Sequence, residues 1–334
     1  MTPADELTAE ELTAEELTAD AARLKAGRFD PRQLDELWDF DDPATSERRF
    51  ESLLGTGDLP PTARAELQTQ LARALGLQGR YDDALKILDA VLHSIENAEP
   101  AASMDAGQSG GQSESGPSAT PPAPVVVIRV ALERGRVLNS SGKPADSVEL
   151  FTQALQAARS AGEDFLAVDA AHMLAIADRA RAEHWTNEAL RMVTTSTDPR
   201  TRRWAGSLHN NAGWARHDTG DYGAALAEFE AAQSAYEVHG TTEQARVARW
   251  AVARALRSLA RFDEARAIQQ QLVEQGPSDG YVQEELAELC LATGRPEEAQ
   301  RHAAAAVELL GSDSWFTEYE SGRWERLRRI AQLD

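Results

Sequence analysis

Residues 213–232 read GWARHDTGDYGAALAEFEAA. Gly213 stands twelve positions ahead of a second small residue, Ala225. Tyr222 lies three before Ala225, and Phe229 and Ala232 lie four and seven after it. Steps of three and four share one face of a helix. Gly220, five before Ala225, suits a helix C-terminus that runs into a tight reversal. The stretch therefore reads as two antiparallel helices joined by a short turn. Small residues stand where the helices cross, because a large one there would splay the pair.

The same frame recurs on both sides. The first small residue returns as Ala72, Gly135, Ala177, Gly213, Ala253 and Ala287, at intervals of 63, 42, 36, 40 and 34. The second returns as Ala84, Ser147, Ala189, Ala225, Ala265 and Ala299. Gly79, Gly142 and Gly294 repeat the turn glycine; the third unit lacks it, and the fifth has Ala260 in its place. Four after the second small residue come Leu88, Phe151, Val193, Phe229, Gln269 and Ala303. A period near 34 with two helices per unit marks a helical solenoid. One helix pair cannot bury its apolar face alone, so the units must stack.

These residues resemble the tetratricopeptide repeat family over roughly Ala65 to Leu310. The fourth unit matches almost throughout, the first and sixth match well, and the third is the weakest. The resemblance implies an all-α, right-handed solenoid of helix-turn-helix repeats with terminal capping helices. It also implies a role in binding peptides or protein segments in a concave groove.

Composition divides the rest of the chain. Residues 1–29 form an acidic tail with a five-residue near-repeat, and 30–56 read as a capping helical hairpin started by Asp30-Pro31 and Asp42-Pro43. The first repeat unit spans 65–96. Residues 97–124, rich in Gly, Ser, Pro, Ala and Gln, read as a disordered insertion that explains the 63-residue interval. Units two to six occupy 125–310, and 312–334 reads as one closing helix. In that helix Trp315, Phe316 and Tyr319 would cover the last unit, and Arg323, Arg326, Arg328 and Arg329 would form its polar side.

A net charge of −21 opposes nonspecific binding to nucleic acid or anionic membranes. No apolar run reaches membrane-spanning length, and the acidic N-terminus lacks the basic start of a secretory signal. Cys290 is the single cysteine, so no intrachain disulfide forms. A cytoplasmic location is expected. No phosphate-binding loop, dinucleotide fingerprint or zinc spacing is present, so no cofactor, metal or catalytic residue is expected. His209 and His217 are eight apart, too far to share one ion unaided. Cys290 falls at a mostly apolar register position, that of a core cysteine.

Groove residues of the family lie on the first helix of each unit. In this chain that register collects Arg73, Arg129, Arg136, Arg181, Arg254 and Arg257, together with Asn210, Trp214, His217 and Trp250. Arginine forks recognise carboxylates bidentately, and tryptophan and arginine recur at binding hot spots. One reading is a groove for an acidic peptide or a C-terminal carboxylate. The other is that these arginines pair with neighbouring Asp and Glu. The lysines of the family's chaperone-tail clamp are absent, so that ligand is not expected. The functional expectation is a non-catalytic adaptor for a protein or peptide partner. The alternatives are a self-associating structural protein and an accessory subunit of an enzyme.

Overall fold

The computed structural model describes residues 31–57, 59–97 and 124–332. The acidic 1–29 segment lies outside the described residues, as does the 97–124 insertion apart from Asn97 and Pro124. Every regular element among the described residues is helical. The chain divides into two compact units, one up to Met192 and one from Val193 onward.

The first unit contains α1 (Pro31–Glu36), α2 (Pro43–Gly55), α3 (Pro61–Leu77), α4 (Tyr81–Glu96), α5 (Pro124–Ser140), α6 (Pro144–Ala161) and α7 (Asp164–Ala177). A 3-10 turn (Arg179–Arg181) leads into α8 (Ala182–Thr195), whose last residues cross the division. From α2 to α7 each helix packs on the next, and the first helices of successive pairs also touch, α3 on α5 and α5 on α7. Local chemistry starts these helices. Asp42 caps α2 by accepting from the backbone N–H groups of Ala44 and Thr45, with Pro43 at the first helical position.

The second unit contains α9 (Pro199–Arg202), α10 (Trp204–Asp218), α11 (Tyr222–His239), α12 (Thr242–Ser258), α13 (Phe262–Gln275), α14 (Gly280–Ala292), α15 (Pro296–Leu310), α16 (Ser314–Tyr319) and α17 (Ser321–Ala331). Here too each helix from α10 to α15 packs on its successor, α12 touches α14, and α17 closes against α15. Thr241 and Gln244 form a reciprocal capping box at the start of α12.

The small residues do what their spacing implies. Ala84, Ser147, Ala189, Ala225, Ala265 and Ala299 are all fully buried. At Gly213 an added Cβ would lie 2.5 Å from the Phe229 ring, and at Gly135 it would lie equally close to Phe151. Each phenylalanine thus presses on bare backbone of its partner helix, which fixes how closely the pair approaches. In five pairs the second helix begins three residues before its small anchor, at Tyr81, Pro144, Tyr222, Phe262 and Pro296.

The third pair departs from this frame. Without a glycine to reverse the chain, α7 ends at Ala177, the 3-10 turn intervenes, and α8 starts at Ala182. Ala177 is therefore only half-buried at a helix end, not at a crossing. The C-terminal segment also departs from expectation: it forms two helices, with Asp313 capping the first by accepting from the Phe316 N–H. Of the three aromatics expected to cover the last unit only Phe316 is buried, against a cluster containing Ala303, Ala306 and Leu310. Trp315 and Tyr319 remain 54% and 75% exposed.

Candidate binding cleft

In the second unit, first-helix positions converge on a cleft of about 670 Å³. Its apolar wall is built from Trp214 on α10, Val247 and Trp250 on α12, Tyr281 and Val282 on α14, and Trp315 on α16. The rings form a relay. Trp214 meets Phe229 edge-on at 4.9 Å, and its centroid lies 5.8 Å from that of Trp250. Trp250 approaches Tyr281 at 6.1 Å, and its indole N–H donates to the Tyr281 carbonyl at 3.1 Å. Tyr281 in turn meets Phe316 edge-on at 5.5 Å and donates its hydroxyl to Asp313 at 3.0 Å. Burial and the Asp313 carboxylate push the Tyr281 hydroxyl up to about 12, so it stays protonated. One ring per helix, locked by its neighbours, makes this wall preorganised.

The arginines of the cleft are already engaged. Glu285 on α14, fully buried, accepts from Arg254 Nη1 at 2.9 Å and from Arg257 Nε at 2.7 Å. The Arg254 guanidinium also lies 5.8 Å from the Trp214 ring and 5.5 Å from Trp250. From the other side, α17 sends Arg323 to Glu284, with Nε donating at 2.8 Å, and Arg326 to Glu288. The glutamates of α14 are thus clasped between arginines of α12 and α17. Arg323 is half-buried and Arg326 exposed, yet both side chains reach carboxylates of α14. They hold α17 to the repeat before it.

His217 Nε2 lies 3.0 Å from Ser258 Oγ, and the ring packs beside Trp214 and Tyr222. Burial and then Arg254 hold its pKa below the usual histidine value, so the ring is neutral near pH 7. His209 pairs instead with Glu228 at 2.7 Å. Among the described residues no set of three His, Cys, Asp or Glu side chains is arranged to hold a metal ion. Cys290 is a buried core residue.

The first unit has a smaller cleft of about 320 Å³, lined by Arg73, Tyr81, Glu133, Arg136 and Met173 among others. Arg136 donates to Glu133 and Asp169, both at 2.5 Å, and Arg129 lies 3.7 Å from Glu66. Arg73 lies over Trp38 and Phe40, 5.4 and 5.3 Å from their ring centres. Arg181 sits in the 3-10 turn, paired with Asp178 at 2.6 Å and lying over Trp185.

Of the ten residues singled out in the sequence, Trp214, His217, Trp250 and Arg254 line the larger cleft, and Arg257 stands behind it on Glu285. Arg73 and Arg136 line the smaller one. Arg129, Arg181 and Asn210 line neither cleft. Five of the six arginines meet carboxylates, which favours the second of the two readings, that they pair with neighbouring Asp and Glu. Sequence reasoning missed Arg246, Asp218, Trp315 and Arg323 as cleft residues. For Asp218 a signal was present: it directly follows His217 on the same helix end.

The helix pairs and their small-residue crossings are those of the tetratricopeptide-type helical repeat fold. BtubC (BKLC) from P. vanneervenii superposes with a TM-score of 0.50 at 14% identity, covering 78% of this chain and 90% of that one. A tetratricopeptide repeat protein from Parabacteroides merdae gives 0.46 at 11% identity, covering 96% and 98%. NprR, in complex with its cognate peptide NprX, gives 0.48 at 14% identity, covering 96% and 85%. No protein-family profile and no curated protein sequence matches the chain.

Proposed function

We propose that this protein is a non-catalytic scaffold whose α10–α17 cleft holds a segment of a protein partner through a large apolar or aromatic side chain. One observation carries the reading: Trp214, Trp250, Tyr281 and Trp315 come from four helices to wall a single cleft, and Trp315 leaves half its surface to water. Indoles held rigid at a concave site are the residues that dominate binding energies. The acidic partner suggested by convergent arginines loses ground, because the guanidiniums that would meet it already hold Glu284 and Glu285. Among the described residues no helix is long and apolar enough to cross a membrane, and a partner in solution fits that.

Selection of a random peptide library on the full chain tests this. The selected sequences should share a large apolar residue, and Trp315→Ala should weaken them; that side chain is exposed, so the core stays intact. Selected peptides that bind wild type and Trp315→Ala equally would refute the assignment. A second reading has one observation in its favour: Trp315 and Tyr319 stack at 6.5 Å as an exposed aromatic pair. Self-association through that pair would make the solution mass depend on concentration and on Tyr319.

A further inference from the structure

The charges of the larger cleft say what must accompany the apolar anchor. Four guanidiniums stand in or directly behind it. Arg246 lies 3.5 Å from Asp279, Arg254 and Arg257 lie 2.9 and 2.7 Å from Glu285, and Arg323 lies 2.5 Å from Glu284 and 3.5 Å from Glu320. Four carboxylates therefore answer four cations. A fifth carboxylate, Asp218, lines the same cleft and is exposed. Among the described residues it has no ion-pair partner, and the neighbouring His217 ring is neutral near pH 7. Its position is also unfavourable in the free protein. Asp218 is the last residue of α10, where the helix dipole presents its negative end. A carboxylate placed there gains only from a cation that arrives from outside.

We infer that the partner segment carries a lysine or arginine close to its large apolar residue, with the cation meeting Asp218 and the apolar group meeting the Trp250–Trp315 wall. This rests on the cleft being the binding site, as proposed above. The chemistry is the reverse of the acidic ligand that the arginines suggest in the sequence. The net charge of −21 supports it at long range, since an acidic protein speeds encounter with a basic segment and slows encounter with an acidic one. Exposed Val247 and Trp315 at the mouth offer apolar cover for the stem of a lysine or arginine side chain.

The test uses two short capped peptides that differ in charge alone. One has lysines flanking a tryptophan, and the other has glutamates in their place. Affinity for the full chain is measured by fluorescence anisotropy at near-physiological salt, for wild type, Asp218→Lys and Trp315→Ala. The lysine peptide should bind at least about fivefold tighter than the glutamate peptide, and Asp218→Lys should weaken it by about fivefold while improving the glutamate peptide. Trp315→Ala should weaken both. Equal binding of both peptides, lost in Trp315→Ala, would overturn the cationic partner and keep the cleft. Lysine-peptide binding indifferent to both substitutions would be attraction to the acidic surface at large and would overturn the inference. Failure of both peptides to bind would overturn the cleft reading with it.

Discussion

Ala260 occupies a conformation that its side chain resists, and replacing it with glycine should stabilise the protein. Four helix pairs reverse through a glycine in the left-handed region: Gly79, Gly142, Gly220 and Gly294, with φ of 76, 83, 81 and 70°. The α12–α13 turn is built in the same way but carries Ala260 at φ 57°. Its hydrogen bonds match those of the glycine turns. Arg261 N–H donates to Leu256 O at 2.9 Å, as Asp221 N–H donates to Arg216 O at 3.0 Å. The frame is therefore obligatory and the alanine is forced into it. A Cβ in the left-handed region costs about 1–2 kcal/mol. Glycine gives back about 0.4–1 kcal/mol through its freer unfolded chain. Ala260 is exposed, so no packing is lost. The net expectation for Ala260→Gly is about 0.8 kcal/mol of added stability, from the difference between the mid-points of those two ranges. Urea unfolding of the full chain measures it, and amide exchange at Leu259 and Arg261 shows whether the gain is local. The reverse change, Gly220→Ala, should cost a similar amount. A neutral or destabilising Ala260→Gly alongside a costly Gly220→Ala would refute the common turn geometry.

Other perturbations test other parts of the account. Gln269 is fully buried, and among the described residues neither polar atom of its amide has a hydrogen-bond partner; Gln269→Leu should raise stability by about 1–2 kcal/mol in urea unfolding. Glu285→Gln leaves Arg254 and Arg257 without their shared counter-charge, and should cost about 3 kcal/mol by the same measurement. Gly213→Ala drives a methyl group into the Phe229 ring and should cost about 1–3 kcal/mol, whereas Gly223→Ala, with no atom within 4 Å of its added Cβ, should not. Burial pushes Asp169 up, but Arg136 and Arg73 outweigh it and hold the carboxyl below its usual value. A carboxyl depressed in the folded state stabilises above its unfolded pKa, so this contribution is full above about pH 4 and is lost as acid protonates the folded form. Asp169→Asn should flatten that part of the acid unfolding curve.

The repeat was legible because it is written in backbone contacts. A residue that must be small at a helix crossing leaves a trace in sequence whatever surrounds it, and Gly213 facing Phe229 is such a trace. The five regular second helices start where the anchor spacing places them. The third pair was harder, because a missing glycine tells only that the usual turn is absent, not that a 3-10 turn replaces it. The charge state of the cleft was hidden for a different reason. Arg254 and Arg257 fall on the groove register, but their partner Glu285 lies fourteen before its anchor, a position that register does not include. Long side chains reach across adjacent helices to meet, and register alone does not report that reach. Trp315 was read together with Phe316 as cover for the last repeat; both lie on the short α16, but only Phe316 is buried there, while Trp315 lines the cleft.

The central claim is that the aromatic cleft of α10–α17 is where a partner segment binds. It is tested most directly by following the seven indole N–H signals by NMR while a library-selected peptide is added. The account predicts that Trp214, Trp250 and Trp315 shift together and saturably while Trp38 and Trp185 stay in place. Shifts confined to Trp38 or Trp185, or saturable binding that leaves all three cleft indoles unmoved, would contradict it.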